Sequence, residues 1–316
     1  MNYGWLMNII FAAASSFSEQ TLTTLTRLDH EIVAVLTQPD RQSGRGLKKT
    51  KNPIKKMAQK LDLPVLEYES LTNPQAYKTI KKLAPDLLLT TAYGEYVPNE
   101  ILKIPHHEAI NIHPSLLPQW RGASPIQSAI LNGDKKTGIC LTRMVNEVDA
   151  GPIFISYETE IRVDETAGLL SNRLAELSAK LIKNSLDDIL NKKISPTEQA
   201  HENAVYAPKI KKTDALITWS LPALKLLRQI KAFNPWPVSY SWIKGKHFRI
   251  WDAELNNQDN LKYPPGKIVE IRDKDILVST GEKMLALTQV QLEGKKKITA
   301  AEFARGFNCQ GITLGF

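Results

Sequence analysis

Residues 31 to 37 read Glu31-Ile32-Val33-Ala34-Val35-Leu36-Thr37, and this run decides the fold. A strand with one face in water alternates apolar and polar residues, but Ile32 to Leu36 are apolar without a break, as in a strand covered on both faces. Strands of that kind belong to mostly parallel sheets with helices on each side. Further strands are expected at Asn8 to Ala12, Asp86 to Thr91, Ala109 to Ile112 and Gly138 to Val145, with helices between them at Ile54 to Leu61 and Pro74 to Leu83. Pro64, Pro85 and Pro105 punctuate the element ends. The alternation predicts an α/β domain built on a doubly wound, mostly parallel sheet.

A long helix is expected at Leu169 to Leu190, where Leu170, Leu174, Leu177, Leu181 and Ile189 fall on one face. From Asn191 the chain becomes polar without an apolar period, which reads as a linker over 191–210. Beyond it the character changes. One helix, Pro222 to Ala232, is followed by short β-like runs at Val238 to Ile243, Lys246 to Ala253, Gly266 to Ile271, Ile276 to Ser279 and Leu285 to Gln291. Lys-Gly, Pro-Pro-Gly and Thr-Gly turns separate them, the pattern of a small OB-like β-barrel. The expected division is therefore 1–190, a linker at 191–210, and 211–316. A chain of 316 residues is also long for one hydrophobic core.

With 42% hydrophobic and 23% charged residues, the composition is neither disordered nor membrane-like. The apolar run Ile9 to Ala14 is too short to span a bilayer and follows no basic segment, so a cytoplasmic protein with no membrane partner is expected. Cys140 and Cys309 lie in no metal-ligand spacing, which points to a reducing compartment and no metal. The formal charge of +8 suits an anionic partner, of which nucleic acid is the commonest, or simply solubility.

The chemistry-bearing segment is Asn111-Ile112-His113-Pro114-Ser115-Leu116-Leu117-Pro118. Asn111 and His113 fall at the carboxyl end of a strand, where open α/β sheets bind ligands, and their i, i+2 spacing puts both side chains on one face. Asp149 follows in the Gly/Pro-punctuated loop Val148-Asp149-Ala150-Gly151-Pro152. An amide, an imidazole and a carboxylate together suit attack of an amine on a carbonyl: the donors stabilise the oxyanion and the other two groups handle the proton. Taken singly, each residue is more often a cap or a turn former.

These residues, with their neighbours, resemble the folate-dependent formyltransferases. The resemblance rests on Asn111-x-His113, Ser115-Leu116-Leu117-Pro118, Trp120-Arg121-Gly122-Ala123-x-Pro125-Ile126-Gln127 and Asp149-Ala150-Gly151. Leu36-Thr37-Gln38-Pro39-Asp40-Arg41, Ala92-Tyr93-Gly94 and Lys231-Ala232-Phe233-Asn234-Pro235-Trp236-Pro237 extend it over nearly the whole chain. It implies a Rossmann-like formyltransferase domain that transfers a formyl group from N10 of 10-formyltetrahydrofolate to the α-amino group of methionine on initiator methionyl-tRNA. By the same resemblance Asn111 and His113 bind and polarise the formyl oxygen and Asp149 relays protons. Ser115, Leu116, Leu117, Pro118, Tyr93 and Gly94 line the folate site.

Five cations fall within Arg41-Gln42-Ser43-Gly44-Arg45-Gly46-Leu47-Lys48-Lys49-Thr50-Lys51. Such a run is ordinarily a solvated loop, but two glycines and dense positive charge also suit phosphate binding. The resemblance makes it a tRNA-inserting loop, with Arg41, Arg45, Lys48 and Lys49 as contacts and Arg45 at the key position. In the second domain Lys244, Lys246, Arg249 and Lys295 to Lys297 suggest backbone contacts, and Trp242 and Trp251 are read as core residues.

Two departures from the family pattern stand out. The run Phe11-Ala12-Ala13-Ala14-Ser15 replaces Phe-Ala-Gly-Thr-Pro, so Ala13 is expected to reshape the cleft; Glu95 stands where an apolar residue is usual. Competing functions are a formyltransferase acting on glycinamide ribonucleotide or an amino sugar, a formyltetrahydrofolate hydrolase, and a catalytically silent tRNA-binding protein. A monomer is expected.

Overall fold

The computed structural model describes residues 6–43, 48–50, 52–259 and 262–315. They form two compact units that interleave in sequence. The first comprises residues up to 125 with 136–160 and 171–208; the second comprises 126–135, 161–170 and the chain from 209 onward.

In chain order, the strands of the first unit are β1 (Asn8–Ala13), β2 (Glu31–Thr37), β3 (Arg41–Ser43), β4 (Lys48–Thr50), β5 (Val65–Glu67), β6 (Leu87–Thr91), β7 (Glu108–His113), β8 (Arg121–Gly122), β9 (Lys136–Arg143), β10 (Ile153–Glu160) and β11 (Tyr206–Ala207). Seven of them form one sheet in the order β10-β9-β7-β6-β1-β2-β5. The five from β7 to β5 run parallel, while β9 and β10 add an antiparallel edge. β1 is central, and the chain moves outward from it first through β2 to β5 and then through β6 to β7, which is the doubly wound topology. Ile9 to Ala13 are all fully buried, as an unbroken apolar run requires.

The helices α1 (Glu19–Leu25), α2 (Pro53–Lys60), α3 (Pro74–Lys82) and α4 (Asn99–Leu102) connect these strands. α2 and α3 begin alike: Asn52 and Asn73 accept hydrogen bonds from first-turn N–H groups, and a proline takes the first helical position, whose N–H needs no partner. α5 (Pro125–Asn132) and α6 (Ala167–Leu190) complete the first half of the chain. One apolar cluster joins Ile10 and Ala12 of β1, Ala34 and Leu36 of β2, Leu88 of β6 and Ala109 of β7 to Ala76 and Ile80 of α3. Along β6 and β7 that same face continues as Thr90, Asn111 and His113, because every second residue shares a side. The sheet is thus apolar over its centre and turns polar at its carboxyl edge.

Residues 191–208, which lack an apolar period, are built into this unit. Thr197 bridges Ile153, and β11 pairs in parallel with β8. Among the described residues no helix is long and apolar enough to cross a membrane.

The second unit carries α7 (Ala223–Ala232), β12 (Tyr240–Ile243), β13 (Lys246–Asn256), β14 (Ile268–Ile271), β15 (Ile276–Ser279), β16 (Met284–Leu292), β17 (Ile298–Thr299) and α8 (Ala300–Gly306). Its antiparallel sheet runs β12-β13-β16-β15-β14, with β17 also on β16. Register breaks at Ile250 to Ala253 and at Ile268 to Glu270 curl it into the small barrel-like form expected. Phe248, Ile250 and Val290 meet Leu226 and Ile230 of α7 and Phe303 of α8 in its core. Segments 126–135 and 161–170 belong here through Arg228 Nη1, which donates to the Asn132 carbonyl at 3.2 Å, and the Gly168 N–H, which donates to Asn234 at 2.9 Å.

Phe248 is fully buried, and its ring centroid is 5.0 Å from that of Phe303. Phe248→Ala is expected to destabilise this unit by about 3–5 kcal/mol, read as a lower urea midpoint at an unchanged slope.

Candidate functional site

A cavity of about 540 Å³ opens where the sheet face turns polar. Its floor includes Thr90, Asn111, His113, Thr142 and Asp149, and its walls Tyr93, Gly94, Val97, Met144, Val145 and Val148. The three residues singled out for catalysis are brought together. Asn111 lies in register between Thr90 on β6 and Thr142 on β9. Its Oδ1 accepts from the Thr90 hydroxyl at 2.8 Å, and its Nδ2 donates to Asp149 Oδ1 at 3.1 Å. The orientation of the amide is thereby set, with one amide hydrogen still available to a ligand.

His113 is 4% exposed and is held from both sides of its ring. Nε2 lies 2.9 Å from the carbonyl of Trp120, and Nδ1 lies 3.5 Å from Asp149 Oδ1. A carbonyl only accepts, so Nε2 carries a proton; in the neutral ring the lone pair sits on Nδ1, facing the carboxylate.

The Asp149 side chain is 11% exposed. A carboxylate so placed needs donors. Asn111 Nδ2 serves Oδ1, and Oδ2 accepts from the backbone N–H of Gly122 at 2.8 Å. Gly122 has φ +112°, and a Cβ there would lie 2.8 Å from the Ala207 carbonyl oxygen, so β8 can approach β11 and aim its N–H only with glycine. Asp149 has φ +53°, a left-handed conformation that aspartate tolerates better than most residues.

Sequence reasoning missed the residues that hold this loop from behind. Gln199 Nε2 donates to the carbonyls of Asp149 and Gly151 at 2.9 and 2.6 Å, and its Oε1 accepts from Arg121 Nε and Nη2 at 3.1 and 2.7 Å. Arg121 is 1% exposed; Nη2 also donates to His201 Nδ1 at 3.1 Å, and Nη1 lies 3.7 Å from Glu147. Arg121 itself, a lone charge within Trp120-Arg121-Gly122-Ala123, was the available signal.

Ser115, Leu116, Leu117 and Pro118 do not line the cavity. Ser115 is fully buried with its hydroxyl donated to the Gln119 carbonyl at 2.6 Å, and Leu116 packs close to Gly138. The segment turns the chain so that Trp120 presents its carbonyl to His113. Tyr93 and Gly94 do line the cavity, and the Gln38 amide donates to the Tyr93 carbonyl at 2.6 Å. Burial, with the Glu95 carboxylate adding to it, raises the Tyr93 phenol above its ordinary range. Ala13, expected to reshape the cleft, is fully buried in β1 opposite Thr91 and is not part of the lining. It is regular strand there, so no left-handed turn calls for glycine.

Of the basic segment, Arg41 pairs with Thr50, Gln42 with Lys49 and Ser43 with Lys48 in a two-stranded ribbon. Arg45 lies outside the described residues. Trp242, read as core, is 38% exposed, because Ser241 and Ile243 take the inward positions of β12. It packs edge-on against Tyr240 and His247, with Arg249 on the same face of the hairpin.

An amide, an imidazole and a carboxylate line one cavity, a set suited to stabilising charge and moving protons in group transfer. The formyl transferase family model matches residues 6–186, and that of the formyl transferase C-terminal domain matches residues 209–308. The chain belongs to the formyl transferase family, and it is an enzyme of formyl transfer. It is 38% identical over 309 residues to the methionyl-tRNA formyltransferase of Hydrogenovibrio crunogenus, covering 98% of this chain and 99% of the relative. It is 39% identical over 308 residues to that of Acidithiobacillus ferrooxidans, covering 97% and 98%. Among solved structures, the sugar 3N-formyl transferase WlaRD aligns with a TM-score of 0.66 at 19% identity, covering 93% of this chain and 100% of that one. The methionyl-tRNA formyltransferase of Clostridium thermocellum aligns at 0.56 and 18% identity, covering 91% and 99%. At these identities the structural likeness shows a shared fold.

A Cβ on Gly151 would lie 1.9 Å from the carbonyl oxygen of Arg143, a backbone atom with little room to yield. Gly151→Ala is expected to cost about 1–3 kcal/mol in thermal unfolding and to lower turnover by displacing Asp149.

Proposed function

We propose that this enzyme transfers the formyl group of 10-formyltetrahydrofolate to the α-amino group of methionine on initiator methionyl-tRNA. The observation that carries the reaction is the Asp149 carboxylate, held at the cavity floor by Asn111 Nδ2 and the Gly122 N–H and facing His113 Nδ1. The full-length relatives named methionyl-tRNA formyltransferase support the acceptor. So do the basic segment 41–51 and the Tyr240, Trp242 and Arg249 face of the second unit.

The cavity fits a folate. Its volume lies within the range of roughly 300–1,000 Å³ typical of small-molecule pockets, and apolar walls stand over a polar floor. Tyr93 and Gly94 are the lining residues assigned to it, and Ser115 to Pro118 are assigned the indirect task of setting the Trp120 carbonyl. The bound donor supplies an electrophilic formyl carbon.

The remaining amide hydrogen of Asn111 is the donor toward the formyl oxygen as it gains negative charge. Asp149 takes the proton that the attacking amine releases when the new C–N bond forms and relays it to His113 Nδ1, which its carboxylate faces. The carboxylate stabilises the imidazolium, and the proton returns through Asp149 to N10 as the old C–N bond breaks. Protons and bonds balance, and no nucleophilic side chain intervenes. Arg41, Arg45, Lys48 and Lys49 are assigned to tRNA phosphates.

The test incubates the protein with labelled 10-formyltetrahydrofolate and methionyl-tRNA of initiator and elongator type. Formylation of the initiator alone is expected, and labelling of neither rejects the reading. Asn111→Ala and His113→Ala are each expected to reduce kcat about 10²–10³-fold. Arg45→Ala is expected to weaken tRNA use and flatten its salt dependence with folate affinity unchanged; lost folate affinity would put Arg45 elsewhere.

A further inference from the structure

The Asp149 side chain can face His113 only while its own backbone is held in place. Gln199 is 5% exposed, and every part of its amide is engaged. Its two N–H groups go to the carbonyls of Asp149 and Gly151, and its oxygen takes two N–H groups from Arg121. Arg121 is the residue before Gly122, whose N–H holds Asp149 Oδ2. One short strand therefore anchors Asp149 twice: directly through Gly122, and through Arg121 and Gln199.

We propose that Gln199 is a positioning residue for formyl transfer, acting through Asp149. The proposal rests on the reading of Asp149 given above. Between Asp149 Oδ1 and His113 Nδ1 the separation is 3.5 Å, beyond the usual hydrogen-bond range of about 2.7–3.2 Å. A small shift of the loop one way makes that bond as the imidazole gains its proton, and the other way loses it. A glutamine that binds the carbonyls on either side of Ala150 limits the loop to the productive position. Its side chain approaches from the backbone side of Asp149, so it touches neither the cavity nor a reacting atom.

Gln199→Glu keeps the size of the side chain and the acceptor for Arg121, but it turns a carboxylate oxygen toward two carbonyls. Gln199→Leu removes every polar contact. Each is made in the full chain and again with Asp149→Asn, and single-turnover rates are read at saturating 10-formyltetrahydrofolate and initiator methionyl-tRNA, with KM and Tm alongside. Either variant is expected to slow transfer about 10–100-fold with both KM values within about twofold. In the Asp149→Asn background that loss is expected to vanish, since the group being positioned is gone.

An equal loss in both backgrounds, a rise in KM without a change in rate, or loss of the fold in both Gln199 variants would make Gln199 merely structural and overturn the proposal. Asp149→Asn at the wild-type rate would sink the Asp149 assignment and this proposal together. An impaired Asp149→Asn beside unimpaired Gln199 variants would sink this proposal alone.

Discussion

A carboxylate taken largely out of water is the constraint to which the rest of the first unit answers. Left unpaired, the charge of Asp149 would be costly to bury, so each of its oxygens needs a donor and each donor needs support. Asn111 supplies one because Thr90 orients its amide. Gly122 supplies another because it lacks a side chain and lets β8 lie against β11. His113 stands in reach because Trp120 holds the far side of its ring. Much of the unusual backbone nearby, including the left-handed Trp120, Gly122 and Asp149, lies within this one arrangement.

The sheet makes the arrangement possible by changing character along its strands. Ile10, Leu88 and Ala109 bury one face against α3, and the same side then carries Thr90, Asn111 and His113. Rigid strands thus deliver polar groups to the cavity at the carboxyl edge of the sheet, where Thr90 and His113 are buried among partners. The antiparallel edge contributes as well, since β9 sets Thr142 beside Asn111 and Cys140 beside His113. Cys140 is fully buried there, and burial raises its thiol pKa to about 11, which leaves it unreactive.

Most of the sheet was legible because apolar strands announce themselves by composition, and Asn111 and His113 were legible because strand parity fixes their common face. Gln199 was not. It acts by hydrogen bonding to backbone atoms fifty residues away, which leaves no periodicity, so the polar stretch around it read as a spacer. Ser115 to Pro118 misled for a related reason. A distinctive motif signals a demanding backbone path, and here that path leads behind the cavity to reach Trp120. Residue type alone puts Trp242 in the core, yet alternation along β12 turns it outward.

The pairing of β8 with β11 carries a consequence for how the enzyme is made. Asn111, His113 and Asp149 are all encoded in the first half of the chain, but the frame that holds them closes only with Gln199 and Ala207. During synthesis from the amino terminus, at roughly 5–20 residues per second, the three side chains wait several seconds after Asp149 is added before their supporting backbone exists. The site is therefore assembled late by the ribosome's own clock, and the polar segment after the long helix α6 is what completes it.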